Sequence, residues 1–329
     1  MKVFRIRTIT QIIFFFILLY GSYIGLRFMN FMPTWACTNP VDYSSACYLL
    51  PMQRFQYGLN PYLMYSMPFP GYFIIQGWMA FLIFFLYLII FIIIFNKLWC
   101  GWICPFGTLQ DGISFIRKKL KIRETQFSEK TKHSIRPIKY LLIILNFVMP
   151  FGFAFGAVAA TPIFCRICPV KTLLPPLHGN ILNLTIGFPP GVVYSIITCI
   201  FAAFILIMIF FRERFFCTIC PICAMIHIFH KSSLLQFKKN VGACDSCGNC
   251  WRVCPVDIKE VYLEKKKENV IQENCNLCLK CIEACPQKGA LSIKYFNKTI
   301  FSSSREYLEK IIGRKGKKKN ATDNSPRPG

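Results

Sequence analysis

Four stretches of this chain stay apolar for about twenty residues or more, and that length limits what the chain can fold into more than any motif does. They cover residues 9–29, 72–95, 139–160 and 191–211. A helix needs roughly 20 residues to cross a hydrocarbon core of about 30 Å. Inside such a core every backbone N–H and C=O must be paired within the protein, so all four blocks are expected to be helices. The expected fold class is a membrane protein built on a four-helix transmembrane bundle. The first block reads as a retained span, because Tyr20, Arg27, Phe28 and Met29 offer no small-residue cleavage site for a leader.

A formal net charge of +24 raises the question of nucleic acid, and the placement of the charge answers it. All but four of the 39 Lys and Arg lie before the first block (Lys2, Arg5, Arg7), between Lys97 and Lys139, or after Phe211. The four exceptions are Arg27, Arg54, Arg166 and Lys171. The positive-inside rule then predicts a multi-pass protein of the cytoplasmic (inner) membrane, with both termini and the middle loop in the cytoplasm. Membrane lipid is an expected partner; with no nucleic-acid motif beside the charge, nucleic acid is not. The end of the chain, GRKGKKKNATDNSPRPG from Gly313, is expected to be disordered, either solvated or resting on anionic headgroups.

The sharpest chemical signal follows the fourth block. Cys244, Cys247, Cys250 and Cys254-Pro255 form one C-x2-C-x2-C-x3-C-P run, and Cys275, Cys278, Cys281 and Cys285-Pro286 form a second. In this spacing three thiolates of one loop hold three corners of a cubane, and the fourth cysteine ligates the other cluster. The expected ligand sets are Cys244, Cys247, Cys250 and Cys285 for one [4Fe-4S] cluster, and Cys254, Cys275, Cys278 and Cys281 for the second. Tetrahedral zinc, the bland alternative, has no use for a doubled four-cysteine run ending in proline. Thiols that must stay reduced place this α+β two-[4Fe-4S] ferredoxin-like domain in the cytoplasm, the side that the charges select independently. Val256, Ile258, Ala290, Leu291 and Ile293 are expected to form its apolar shell.

Ten cysteines remain. WCGWICP carries Cys100 and Cys104, FCTICPIC carries Cys217, Cys220 and Cys223, and FCRICP carries Cys165 and Cys168. The first two turns each follow an apolar block that ends on the cytoplasmic side, so blocks one and two read as one repeat and blocks three and four as the second. A proline directly after cysteine ends the α conformation there and stiffens the turn. Such a turn suits a ligand or redox thiol, and it also suits a plain helix end. Cys100, Cys104, Cys165, Cys168, Cys217 and Cys220 are therefore the candidate redox thiols. Cys199, mid-helix, reads as a small buried apolar residue. Cys37 and Cys47, in an aromatic-rich outer segment, form the simplest disulfide pair.

Histidine limits the cofactors further. Bis-histidine haem needs inward-facing histidines within the spans. His133, His178, His227 and His230 all lie outside them, so no haem is expected. His227 and His230, three residues apart, read as interfacial histidines or as proton acceptors for a quinol. Asp111 reads as a solvated helix-face carboxylate or a proton relay.

CGWICPFGTLQD after one block, FCTICP after another and the doubled cysteine run behind them together resemble the NapH-like and NosR-like polytopic membrane ferredoxins, over about Tyr72 to Ile293. The resemblance implies quinol oxidation, or a related transfer of electrons between a cytoplasmic donor, the quinone pool and an exported reductase. It implies quinone or quinol and redox proteins as partners. Two departures stand out: Cys165 to Cys168 and Cys217 to Cys220 are C-x2-C-P instead of C-x3-C-P, and there is no flavin-binding segment of the NosR kind. The expected organisation is a membrane domain over 1–235, a double-cluster domain over 236–298 and a basic tail over 299–329. The functional expectation is an electron-transfer subunit, a quinol dehydrogenase-like oxidoreductase component. The alternatives are a transmembrane thiol–disulfide relay ending at the outer cysteines, and a regulatory or assembly factor for an exported reductase.

Overall fold

The computed structural model describes residues 2–20, 82, 85–86, 89–125, 129–154, 168–174, 177, 189–265 and 268–304. Helix α1 (Lys2–Tyr20) starts seven residues before the first apolar block, and 21–29 lie outside the described residues. Its Val3–Tyr20 segment is the one helix among the described residues long and apolar enough to cross a membrane, and Ile196–Phe211 is a shorter apolar run. The second block is described only at 82, 85–86 and 89–95, all helical.

Helix α1 is inverted relative to a water-soluble helix. Val3, Arg7 and Gln11, one turn apart, are buried, whereas Phe4, Ile6, Ile9, Ile13 and Phe16 face outward. A helix that shows its apolar side outward and buries its polar side gains in lipid and loses in water.

Short helices carry the cysteine-proline turns that precede the doubled cysteine run. Helix α2 (Leu98–Trp102) leads through Cys104 into α3 (Pro105–Lys119). Beyond α4 (Glu129–Ala154), α5 (Pro169–Leu173) and α6 (Pro189–Phe211), helix α7 (Phe215–Ile219) leads through Cys220 into α8 (Pro221–Phe229). The reason is local: proline fixes φ, lacks the N–H that the first turn leaves unpaired, and forces the residue before it into extended backbone. Cys104 (φ −57°, ψ 116°), Cys168 (φ −62°, ψ 120°) and Cys220 (φ −59°, ψ 121°) accordingly share one conformation.

The C-terminal domain is a three-stranded antiparallel sheet in the order β1 (Leu235–Lys239), β2 (Leu291–Tyr295), β3 (Lys298–Ser302), with Phe237 opposite Ile293. Helices α9 (Asn249–Arg252), α10 (Glu260–Leu263) and α11 (Lys280–Ala284) pack on one face. Val256, Ile258, Ala290, Leu291 and Ile293 are all buried in this core, with Val3 of α1 joining them.

Two expectations need correction. The expected end of this domain at 298 falls at the first residue of β3, and Ser303 is fully buried, so the basic tail starts later. Phe296 and Asn297, both at positive φ, close a tight hairpin that returns the chain to the sheet. Cys199 is exposed, because it sits on the outward face of α6 beside Ile196 and Ile200.

Candidate metal centres

In the first cysteine run Ser246 and Gly248 take positive φ, 54° and 72°, and in the second run Leu277 and Leu279 do the same, 47° and 60°. These are matching positions, two residues after the first cysteine and one after the second. Alternating right- and left-handed residues turns successive backbone N–H groups into a concave nest, the form that binds anionic centres. For leucine such a backbone costs about 1 kcal/mol or more, so it persists only where the surroundings impose it.

Cys244, Cys247, Cys250 and Cys285 line a single cavity with Gly248 and Tyr262. Cys254 lies within electrostatic reach of Cys275 and Cys278, and Cys281 within reach of Cys254, Cys275 and Cys278. All eight thiols are free. Two nests with four converging thiols each are a donor set that fits a pair of cubanes. Among the described residues no three His, Cys, Asp or Glu side chains converge closely enough for a single metal ion.

The second cysteine loop is docked on the turn that carries Cys100. Trp102 Nε1 donates to the Leu277 carbonyl at 3.0 Å, and Lys97 Nζ donates to the Gln272 carbonyl at 3.0 Å and to that of Glu273. Gly101 permits the contact, since a Cβ there would stand 2.2 Å from the Asn276 carbonyl oxygen. Glu273 pairs with Lys139 at 2.6 Å and with Arg136, both from α4. Burial would raise the Glu273 carboxyl, but hydrogen bonds from Lys139, Tyr140 and Arg136 hold it down to about 2.

Asp111 is neither solvated nor free. Arg214 donates to both its oxygens, from Nε at 2.8 Å and from Nη2 at 2.6 Å; Gln11 Nε2 donates at 2.9 Å and Arg7 pairs with it as well. Burial would raise its pKa, but the charge of Arg214 and its hydrogen bond, then Arg7 and Gln11, outweigh that and hold it well below the usual carboxylate range. The same two arginines secure the cysteine turn, Arg214 Nη1 donating to the Cys100 carbonyl and Arg7 Nε to that of Gly101, both at 3.0 Å.

The sequence-selected residues separate into three groups. Cys100, Cys104, Cys217 and Cys220 come together with Cys223, whose thiol hydrogen-bonds that of Cys100. Cys168 caps α5, while Cys37, Cys47, Cys165 and His178 lie outside the described residues. His227 and His230 stack with ring centroids 4.2 Å apart. Burial, then the nearby Lys97, lowers His227 to about 3, so it is neutral at physiological pH. The sequence does not mark Gly101, Lys97, Arg214 and Glu273, because each matters through partners ninety or more residues away.

Comparison with known proteins agrees with this layout. A family described as "4Fe-4S binding domain" matches residues 77–123 and again 194–242, and one described as "4Fe-4S dicluster domain" matches 236–286. The chain is 29% identical over 211 residues to an uncharacterized protein of Methanocaldococcus jannaschii, covering 63% of this chain and 76% of that one. It is 28% identical over 199 residues to the ferredoxin-type protein NapH of Haemophilus influenzae, covering 59% and 61%. With the regulatory protein NosR of Pseudomonas aeruginosa it shares 25% over 186 residues, 55% of this chain and 22% of NosR. No solved structure matches the chain.

Proposed function

The chain belongs with the ferredoxin-type 4Fe-4S proteins of the NapH and NosR kind, and from that premise we propose that it is a membrane-bound relay carrying electrons between the quinone pool and a partner reductase. A ferredoxin-type relative and a 4Fe-4S dicluster domain support iron–sulfur electron transfer as the activity. In this reading Cys244, Cys247, Cys250 and Cys285 hold one cluster and Cys254, Cys275, Cys278 and Cys281 the other, in a domain that starts near residue 236. The four apolar blocks span the membrane, with both termini and the clusters on the cytoplasmic side.

The observation that carries the reading is the docking of Gln272–Leu277 onto Leu98–Trp102. It sets the second cysteine run against the segment that leaves the second apolar block. The first run sits farther out, with Cys247 exposed where a redox partner can approach. The outward apolar faces of α1 and α6 supply a surface that lipid would cover. When bound, the clusters supply one-electron chemistry. The chain's own residues exclude water, fix the thiols and neutralise charge.

The test uses the full chain, purified anaerobically and reconstituted into vesicles with a reduced quinol. Quinol should bleach the visible cluster absorbance. Intact clusters that dithionite reduces and quinol does not would overturn the quinone assignment. Replacing both Cys165 and Cys168 by Ser should leave the quinol-driven rate unchanged; loss of the rate with intact clusters would instead put an outer thiol step on the path.

A further inference from the structure

We propose that Lys97 raises the reduction potential of the cluster held by Cys254, Cys275, Cys278 and Cys281, so that the segment leaving the second apolar block tunes the cluster docked on it. The assignment rests on that four-cysteine set from the proposed function and is independent of the quinone step.

Lys97 is fully buried, and its place is fixed by the residue before it. Asn96, at φ 49°, turns the chain there. Its Oδ1 accepts the Lys97 N–H at 2.8 Å, and its Nδ2 donates to the Leu235 carbonyl of β1 at 3.1 Å. The ammonium therefore reaches the second cysteine loop from a backbone that is itself tied to the ferredoxin sheet. There it donates to the Gln272 carbonyl at 3.0 Å, the same carbonyl that takes the Cys275 N–H at 3.0 Å. The Glu273 carbonyl is a second acceptor, and Lys97 lies within electrostatic reach of Cys275.

These contacts fit a charged side chain. An ammonium has three donors and no acceptor. Three acceptors stand around Nζ: the two carbonyl oxygens and, at 3.4 Å, Nδ1 of His227, whose ring is neutral at physiological pH. A neutral amine would turn its lone pair toward one of them. Docking alone does not call for the charge, since the neutral indole of Trp102 holds the Leu277 carbonyl of the same loop at 3.0 Å.

The neighbouring carboxylates are engaged elsewhere. Glu273 is shared by Lys139 and Arg136, and Asp111 by Arg7 and Arg214. Among the described residues no carboxylate pairs with Lys97. A buried cation in that position is costly unless something anionic stands close. A cubane bound by four thiolates is such an anion. Its reduction takes up one electron, breaks no bond and binds no proton, so the cluster gains one negative charge. A cation beside it, closed off from water, stabilises the reduced form more than the oxidised form. Dissolved salt screens so buried an interaction only weakly.

The experiment titrates the full-length protein with dithionite under anaerobic conditions and follows each cluster by electron paramagnetic resonance, after iron content has been measured. Cys281→Ser identifies the second cluster's reduction step as the one that it removes or displaces. Lys97→Gln and Lys97→Met should lower that step, with the reduced-to-oxidised ratio at a fixed potential falling about tenfold, which is about 59 mV for one electron. Lys97→Arg, which keeps the charge, should leave it in place, and the first cluster's step should hold in all three. A step unmoved in a neutral variant that retains its iron overturns the proposal. So does an equal shift in Lys97→Arg, or a shifted step that Cys281→Ser leaves untouched. Loss of iron from both neutral variants would make the lysine structural and overturn it as well. An unmoved step in protein that quinol still reduces removes the tuning and leaves the relay standing. The stated shift in protein that quinol does not reduce supports the tuning and sinks the relay's quinone step.

Discussion

Replacing Asp111 by Ala should destabilise the protein by about 3–5 kcal/mol, the range measured when one partner of a buried ion pair is removed. The loss is large because Arg7 and Arg214 are both buried and share this carboxylate. Without it two guanidinium groups remain in a poorly solvated site, and the grip of Arg214 on the Cys100 carbonyl and of Arg7 on Gly101 loosens. Heating the purified protein and following loss of cluster absorbance measures it, with a midpoint lowered by about 5–15 °C. The pH dependence has a definite sign. A carboxyl held low in the folded state contributes its stability fully above the unfolded value, about 3.9, and loses it only as pH falls through the folded value. The difference between Asp111 and the alanine variant should therefore be flat from about pH 6 to 8 and shrink in acid. A variant within about 0.5 kcal/mol of the parent, the usual scatter of neutral surface changes, would show that water solvates the pair.

The contrast between Asp111 and the cysteine runs shows what a sequence makes visible. Local spacing announces itself: the doubled run, and the prolines that end each helix at a cysteine, work within a few residues. Phe296-Asn297 is also local, yet the sequence does not mark it, because phenylalanine rarely takes positive φ and the pair does not look like a hairpin turn. The Asp111 network is the opposite case. Arg7 and Arg214 each stand more than a hundred residues from Asp111, so no window of sequence contains the interaction. In the sequence Arg7 reads simply as one more positive charge before the first apolar block, and its burial gives it a structural role. The convergence of Cys100, Cys104, Cys217 and Cys220 lies between these extremes. Repetition of the motif marked the residues, but only the packing of Phe106 on Phe216 shows that the two copies meet.

A pair of glycines in one neighbourhood gives the second large prediction, because they should respond to alanine with opposite signs. At Gly101 a Cβ would lie 2.2 Å from the Asn276 carbonyl oxygen and 3.3 Å from the Leu277 carbonyl group. These are backbone atoms, which cannot swing aside as a side-chain tip can. The loop that carries Cys275 and Cys278 must back away, taking with it the hydrogen bond from Trp102 and the two from Lys97. Forcing volume into a packed contact costs about 1–3 kcal/mol, and more where backbone has to move. Gly112, in the interior of α3, meets nothing within 4 Å. Alanine there lowers the entropy of the unfolded chain and should stabilise by about 0.5–1 kcal/mol. The functional readout sharpens the comparison. With Gly101→Ala, quinol-driven bleaching should slow while dithionite still reduces every cluster, since the ferredoxin core itself is untouched. With Gly112→Ala both rates should hold. If Gly101→Ala transferred electrons at the parent rate, the close seat of Asn276 on the cysteine turn would not lie on the electron path, and the docking that carries the relay reading would be structural only.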